Sequence, residues 1–359
     1  GGKEELGLGY HLNFINRSGK DLEIRGLRIE SFHGNALLTR LDLKRAPLER
    51  AFRPLPWRVI RSRKDLAAAH RLARRYRHPP GGLVVPAGSG ASLLHLGGEQ
   101  PISTKTDRLR FTLSLATAAK FKQERTLVYE SKVHHYQQRA SLELPVRGSW
   151  NALASHRAHE PHASLHQLSQ TFAYDLTQQA AGGRTFVGDP RKNESYPAYG
   201  QSVFAMAKGV IVALNDGVPD NTPGQRPPWQ TLLLSPKNMG GNYVIIRHGQ
   251  GEFSATMHLM PGLKVRVGQQ VQAGQKIGVC GNSGNSGEAH VHIQLQDGPN
   301  PLQAMGLPLR IGDFSFHYGH QVFYVRPDSP HPLPSRLPME AGKLPLAAAL
   351  DRHRRGMPY

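Results

Sequence analysis

Apolar and polar residues alternate along much of the chain, in short segments that end at glycine, proline or polar turns. The stretch Arg108–Leu115 (RLRFTLSL) shows the pattern most clearly, and His11–Ile15 and Leu22–Ile29 show it as well. Because successive side chains of a strand point to opposite faces, such alternation predicts strands with one buried face. Strands at this spacing over residues 10–60 and 83–147 predict an N-terminal β-sandwich.

The second half of the chain repeats the extended pattern after a histidine-rich segment. The N-terminal series of strands is expected to end with Ser141–Val146 (SLELPV), and few strand signals follow Gly148 until Gln170. Short apolar strands then recur, for example Gly209–Leu214 and Asn242–Arg247. The pattern predicts three parts: an N-terminal sandwich at 1–147, a second β domain at 148–324, and a basic, proline-containing C-terminal tail at 325–359.

Composition adds a strong positive charge, because 45 Lys and Arg residues outnumber 26 Asp and Glu residues and leave a formal net charge of +19. Such a chain is attracted to polyanions, among them nucleic acid, anionic membrane surfaces and the bacterial cell wall. The densest basic stretch predicts an amphipathic helical insertion near 61–77. No nucleic-acid-binding motif is present, and no apolar run reaches the roughly 18 residues that a membrane-spanning helix needs. A single cysteine, Cys280, excludes an intramolecular disulfide.

The segment with the clearest chemistry is Ala289–Gln296 (AHVHIQLQ), which alternates strictly. In a strand, His290 and His292 share one face with two glutamines, over an apolar opposite face. The glycine-rich run Gly281–Gly287 precedes them and allows the backbone to approach a ligand closely.

Two further segments offer metal-binding or proton-transferring side chains. Thr256–Leu259 carries His258 at the end of a predicted strand, and Gln170–Asp175 ends an apolar stretch with a carboxylate. A zinc site with an open position needs three protein ligands, usually His or Asp/Glu, plus water. The sequence contains the pieces of such a site.

These motifs occur in the order of the lysostaphin/LytM-type zinc metallopeptidases, which cut peptide bonds in bacterial peptidoglycan. The chain resembles that family over about residues 155–310. The matching segments are Phe172–Asp175, Tyr199–Ala205, Gly209–Val212, Gly241–His248, Met257–Leu259, Val267–Gly278, Gly281–Gly284 and His290–His292.

The resemblance implies roles for individual residues. Asp175 and His292 would ligate zinc, and His258 and His290 would be the two catalytic histidines that do not bind the metal. The common form of the family has its first histidine ligand four residues before the aspartate, where this chain has Thr171. A variant branch places that histidine in a longer upstream loop. The candidates there are His156, which is favoured because Trp150 through Arg157 resembles the approach of that branch, and then His166, His162 and His159.

The resemblance also implies the fold and the activity. The expected fold is all-β, with the sandwich followed by an antiparallel β-sheet LytM-like domain of the duplicated hybrid motif type. The expected activity is a zinc-dependent endopeptidase that hydrolyses peptide bonds in peptidoglycan stems or cross-bridges, using zinc-activated water and two assisting histidines. The same resemblance implies an exported protein, periplasmic or extracellular. The positive charge adds anionic cell-envelope polymers as expected partners. Because no nucleic-acid-binding motif is present, nucleic acid is not expected as a partner.

Two alternatives stay open at this point. The first is a catalytically inactive LytM-like domain that binds the cell wall or activates another hydrolase, and loss of a ligand usually marks such proteins. The second is an anionic-polymer-binding β protein in which the His-x-His pair is incidental. The second predicts no bound zinc and salt-sensitive binding through residues 61–77.

Overall fold

The structure is a computed structural model that describes most of the chain. The basic insertion predicted near 61–77, and the four histidines at 156, 159, 162 and 166, lie outside the described residues. The described residues are 5–7, 10–16, 18–55, 83–85, 87, 90–96, 101–103, 105–117, 123–133, 136–154, 168–180, 183–228, 231–232, 235–249, 251–301, 303–318, 321–326, 328, 330, 333 and 338–341.

The described residues lie mainly in antiparallel strands and turns, which confirms the all-β class. Helical structure is short: the α-helix α1 (Arg45–Ala51) has seven residues, and 3₁₀ turns occur at Leu168–Gln170, Asn193–Ser195 and Pro236–Asn238. Within the described ranges, no helix has the length and apolar character needed to cross a membrane.

Contacts divide the chain into two compact units, one formed by the described residues up to 133 and the other by those from 136 onward. The domain limits expected from the sequence, at 147 and 324, remain a prediction.

The first unit consists of separate antiparallel sheets. Its strands are β1 (Glu5–Gly7), β2 (Tyr10–Ile15), β3 (Leu22–His33), β4 (Ala36–Leu43), β5 (Phe52–Leu55), β6 (Val84–Val85), β7 (Gly90–Leu96), β8 (Pro101–Ser103), β9 (Arg108–Thr117) and β10 (Glu124–Lys132). A five-stranded sheet has the order β10-β9-β3-β4, with β6 also paired to β3; a three-stranded sheet has the order β2-β7-β5, and β1 pairs with β8.

The alternation seen in the sequence builds the core of this unit. The alternating residues Leu109, Phe111, Leu113 and Leu115 of β9 are buried and pack against the inward-facing residues of β3, in the pattern expected for a strand with one buried face. Helix α1 contributes Leu48, which is fully buried in the same cluster. The buried members of the cluster are Ile24, Leu27, Ile29, Leu48, Leu83, Val85, Leu109, Phe111, Leu113 and Leu115.

The second unit is organised around one large sheet. Its strands are β11 (Trp150–Ala154), β12 (Tyr174–Thr177), β13 (Ser202–Phe204), β14 (Gly209–Asn215), β15 (Asn242–Gly249), β16 (Glu252–Leu259), β17 (Gln270–Val271), β18 (Lys276–Val279), β19 (Val291–Gln296), β20 (Gly306–Leu307), β21 (Phe314–Tyr318), β22 (Gln321–Val325) and β23 (Pro338–Ala341). Eleven strands form the sheet in the order β17-β14-β15-β16-β19-β12-β11-β23-β21-β22, with β20 paired to β19, and β13 pairs separately with β18.

The two faces of this sheet carry different chemistry near its centre. On β19, Val291, Ile293 and Leu295 belong to the main core cluster, whereas His292 and the two glutamines point to the other face. Cys280 is fully buried in the same core, as expected for a small apolar residue.

The prediction of a final N-terminal strand at Ser141–Val146 is wrong. No strand forms there, and Leu142, Leu144 and Val146 pack into the core of the second unit. Glu143 donates its backbone N–H to the carbonyl of Met206, and Pro145 accepts a hydrogen bond from the N–H of Phe204. The alternation there reflects an extended segment that buries every second side chain, and alternation alone does not reveal which unit receives those side chains.

Candidate active site

Neighbouring strands bring the predicted site residues together. On β12, Asp175 lies directly opposite His292 of β19, and Met257 of β16 lies opposite His292 on its other side. Oδ1 of Asp175 is 3.0 Å from Nδ1 of His292 and 3.4 Å from Nε2 of His290, the residue just before β19. All of these side chains are largely buried. The arrangement concentrates one carboxylate and two imidazoles at one point of the sheet.

His258 joins this cluster through an unusual backbone conformation. Because Met257 shares a face with His292, strict alternation would direct the next residue to the opposite face. The φ angle of His258 is 63°, and a register shift lets two residues of β16 oppose one of β15. Such bulges redirect side chains, and a left-handed residue other than glycine costs about 1–2 kcal/mol. The His258 ring centre consequently lies 4.7 Å from that of His290 and 5.8 Å from that of His292.

Backbone carbonyls hold the rings of His258 and His290 in the same way. Nδ1 of His258 is 2.8 Å from the carbonyl oxygen of Ser283, and Nδ1 of His290 is 2.8 Å from that of Glu288. Because a carbonyl only accepts, Nδ1 carries the hydrogen in both rings, and Nε2 of the neutral ring keeps its lone pair. The neutral His258 ring therefore offers Nε2 as a base, whereas Nε2 of His290 faces Oδ1 of Asp175 at 3.4 Å and donates to it when that ring is protonated.

Sequence reasoning did not identify Ser283 or Glu288, since they act through main-chain atoms and their side chains give no signal. The glycine-rich run Gly281–Gly287 predicts that the backbone approaches a ligand closely, whereas the structure shows this backbone close to His258 and Gly241.

The loop packs tightly against the sheet. A Cβ on Gly284 would overlap the backbone nitrogen of Gly241, so only glycine fits. The hydroxyl of Ser283 further joins the loop to the sheet, accepting from Asn242 N–H at 2.9 Å and donating to the Leu259 carbonyl at 2.7 Å.

A row of buried amides determines which nitrogen of His292 carries its hydrogen. The carbonyl of Gly298 accepts from Nε2 of Gln296 at 2.6 Å, so Oε1 of Gln296 faces Gln294 and accepts from its Nε2. Oε1 of Gln294 then lies 2.8 Å from Nε2 of His292 and must receive a hydrogen from it. In the neutral ring, Nδ1 of His292 therefore presents a lone pair.

That lone pair points at the carboxylate of Asp175, 3.0 Å away. Two acceptors at this distance require a proton or a metal ion between them. Imidazole nitrogen and carboxylate oxygen are ligands that zinc prefers, and tetrahedral zinc with bonds of about 2 Å separates its ligand atoms by about 3 Å. Asp175 and His292 therefore fit two of the three protein ligands of a zinc site with an open position.

No group of three or more His, Cys, Asp or Glu residues with metal-binding geometry occurs within the part of the chain that the structure describes. The residues predicted to supply the third ligand, namely His156, His159, His162 and His166, lie outside it.

Burial and charge shift the pKa values of His258 and His290 in opposite directions. Desolvation lowers the pKa of His258 well below its ordinary value, and the neighbouring His290 and His292 rings lower it further. Desolvation also acts against charge on His290, but the charge of Asp175, its hydrogen bond and the Glu288 carbonyl outweigh it and raise the pKa of His290. A divalent cation on Asp175 would offset that carboxylate charge.

A comparison with protein families matches residues 195–304 to "Peptidase family M23". The chain carries a peptidase family M23 domain. The match includes His258, His290 and His292, whereas Asp175 precedes it. The matched residues are 110 of the chain's 359.

Parts of the chain are similar to two curated proteins. "Peptidoglycan DD-endopeptidase ShyA" of Vibrio cholerae is 42% identical over 65 residues, which are 18% of this chain and 15% of the relative. An "Uncharacterized metalloprotease" of Haemophilus influenzae is 30% identical over 129 residues, 36% of this chain and 25% of the relative. The matched parts thus span a quarter or less of the relatives' lengths.

Among solved structures, the catalytic domain of lysostaphin from Staphylococcus simulans aligns at 20% identity. The alignment covers 41% of this chain and 77% of that domain, with a TM-score of 0.25.

Proposed function

We propose that the protein is a zinc-dependent endopeptidase that hydrolyses peptide bonds in peptidoglycan stems or cross-bridges. The observation that carries the proposal is the convergence of Asp175, His258, His290 and His292 on one face of the sheet. The M23 domain and the similarity to a peptidoglycan endopeptidase support the substrate class.

Zinc would be held by Oδ1 of Asp175, Nδ1 of His292 and a histidine of the segment 155–167, with His156 the first choice. When bound, the metal would lower the pKa of a water molecule towards neutrality and polarise the scissile carbonyl. The amide row behind His292 orients that ring and keeps its hydrogen away from the metal side.

His258 and His290 would supply the proton transfers. Nε2 of one ring takes a proton from the attacking water and passes it to the departing amine, while the other ring, protonated at Nε2, donates a hydrogen bond to the oxyanion. The Nδ1 hydrogen bonds to Ser283 and Glu288 persist when a ring is protonated, so they stabilise the imidazolium and hold its direction.

The proposal extends to the surroundings of the enzyme. Peptidoglycan lies outside the cytoplasm, so we propose an exported protein, periplasmic or extracellular. The net charge of +19 favours binding to anionic cell-envelope polymers.

The first test is the zinc content per chain of the wild type and of single-alanine variants. We expect one zinc in the wild type and its loss in His292→Ala, while loss in His156→Ala or His166→Ala identifies the third ligand. His33→Ala is the matched control, because His33 is exposed on the first unit and should leave zinc unchanged. Absence of zinc from wild type, after incubation with excess metal at neutral pH, would contradict the proposal.

A second measurement separates the metal ligands from the assisting histidines. His258→Ala and His290→Ala should retain zinc, yet release peptidoglycan fragments about 10²–10⁴-fold more slowly, the usual contribution of general acid–base catalysis. Zinc binding without hydrolysis by the wild type would favour the inactive wall-binding alternative.

A further inference from the structure

The outer edge of the five-stranded sheet in the first unit is long, regular and apolar at its centre. Strand β10 pairs with β9 on one side, and no described residue pairs with its other side. At its centre, Leu127, Val128 and Tyr129 are 54%, 60% and 61% exposed. Proteins usually protect edge strands with charges, prolines or bulges, and an open apolar edge is a template for a further strand.

We propose that two copies of this chain pair edge to edge through β10, antiparallel, about a two-fold axis at Val128. The sequence of β10, ERTLVYESK, is complementary to itself in that register. Leu127 faces Tyr129 of the second copy, and Glu124 faces its Lys132. The strand thus combines an apolar centre with opposite charges at both ends, each of which stabilises cross-strand pairs.

Neighbouring registers lose this complementarity. An axis at Leu127 would set Glu124 against Glu130 of the second copy, and an axis at Tyr129 would set Val128 against that same glutamate. Like charges directly opposite each other destabilise a sheet, and a charge opposite an apolar side chain gains no partner. With the axis at Val128, no like charges face each other.

The apolar residues of β9 that lie next to β10 support the same register. Leu127 and Tyr129 lie opposite Leu113 and Phe111 of β9, which belong to the core of the unit, so they stand on the core-facing side at its rim. The rings of Phe111 and Tyr129 are 6.3 Å apart and stacked. Pairing across the axis would continue this apolar layer into the second copy.

The charges on the opposite face agree with the proposal. Glu130 is already paired within the chain, with Arg108 at 2.8 Å and Arg110 at 2.6 Å. Glu124 and Lys132 are exposed and have no ion pair with another described residue. They are therefore the charges that remain to be paired between copies.

The molecular mass of the full chain in solution, measured by sedimentation over a range of concentrations, tests the proposal. We expect a transition from 39.6 kDa to twice that mass. Glu124→Lys should raise the dissociation constant at least about tenfold, because it creates two like-charge pairs, and Glu124→Lys with Lys132→Glu should restore it. Glu194→Lys, an equal charge change on an exposed residue of the second unit, should have no effect.

Disulfide cross-linking tests the position of the axis. Val128→Cys places two thiols directly opposite each other, at the Cα separation of about 4.5–5.5 Å that a disulfide accepts, and should give a covalent dimer with oxidised glutathione. Leu37→Cys, on the opposite edge of the same sheet, is the control, and the native Cys280 is fully buried. A monomer at every concentration would overturn the proposal and leave this edge to a strand of another protein. A dimer that is insensitive to Glu124→Lys, or equal cross-linking of the two cysteine variants, would overturn it as well.

Discussion

His292 depends on a side chain that does not touch the proposed metal. Gln294 takes the hydrogen of Nε2 and so leaves the lone pair on Nδ1, facing Asp175. Gln294→Leu removes that acceptor, so the ring loses its preferred tautomer and orientation. We expect zinc to bind about 10–100-fold more weakly, the usual effect of losing a group that orients a metal-binding histidine.

Competition with a chromogenic chelator measures that affinity. Gln296→Leu is the control variant, because Oε1 of Gln294 can still face His292. This variant should weaken zinc binding less than Gln294→Leu does. Equal affinity in the wild type and Gln294→Leu would show that the amide row does not control the ring.

A second single-residue prediction concerns His248, which lies on β15 outside the site. Its Nδ1 donates to the Lys208 carbonyl at 2.9 Å, its Nε2 lies 2.7 Å from the Ser254 hydroxyl, and the ring is half-buried. Burial lowers the pKa of His248. The unfolded chain therefore binds more protons than the folded protein near and below the ordinary histidine pKa of about 6.5.

The stability contributed by the neutral His248 ring is complete above that pH and declines as the pH falls through it, by at most about 1.4 kcal/mol per pH unit. In His248→Asn, the decrease in the urea midpoint from about pH 7 to about pH 5 should be smaller than in the wild type. His33→Asn, at an exposed position, should follow the wild type. Parallel curves for the wild type and His248→Asn would contradict the prediction.

At the scale of strands and loops, sequence patterns predict periodicity well and departures from it poorly. Alternation in Ala289–Gln296 correctly predicts a strand with two faces of different chemistry. It cannot predict the left-handed residue in β16 that turns His258 towards His290, because the bulge depends on the neighbouring strand and loop. The position of Ser141–Val146 could not be predicted from its alternation either, because this segment hydrogen-bonds to residues of β13 and of the turn that follows it.

Glycine substitutions can test how tightly the loop that supplies the Ser283 carbonyl packs against the backbone of Gly241. Gly284 has a φ of +74°, and a Cβ there would overlap the backbone of Gly241. Gly217 has a φ of +82°, and a Cβ at that position would have nothing within 4 Å, so Gly217 isolates the cost of the backbone conformation. We expect Gly217→Ala to lower the free energy of unfolding by about 1 kcal/mol and Gly284→Ala by about 3 kcal/mol, because overpacking adds to strain.

Urea unfolding of both variants measures the difference. Gly284→Ala should also reduce peptidoglycan hydrolysis, since displacement of the loop moves the acceptor of the His258 Nδ1–H. Equal stability losses in the two variants would mean that the loop can shift away from Gly241 at little cost.

At the scale of the whole molecule, the net positive charge and the buried site should respond differently to salt. The excess of basic residues gives a net charge of +19, whereas His258, His292 and Asp175 are buried at the centre of the sheet. Salt shortens the screening length from about 10 Å at 0.1 M to about 3 Å at 1 M, which weakens attraction between exposed charges much more than contacts inside a buried site.

Salt should therefore act on attachment to an anionic polymer and leave the cleavage step largely unchanged. We expect the fraction bound to immobilised polyglutamate to fall steeply between about 0.1 M and about 1 M salt. Hydrolysis of a short uncharged peptide by the same preparation should vary far less over that range, because the substrate carries no charge for the protein to attract. Parallel salt curves for binding and hydrolysis would instead place the salt-sensitive interactions at the active site.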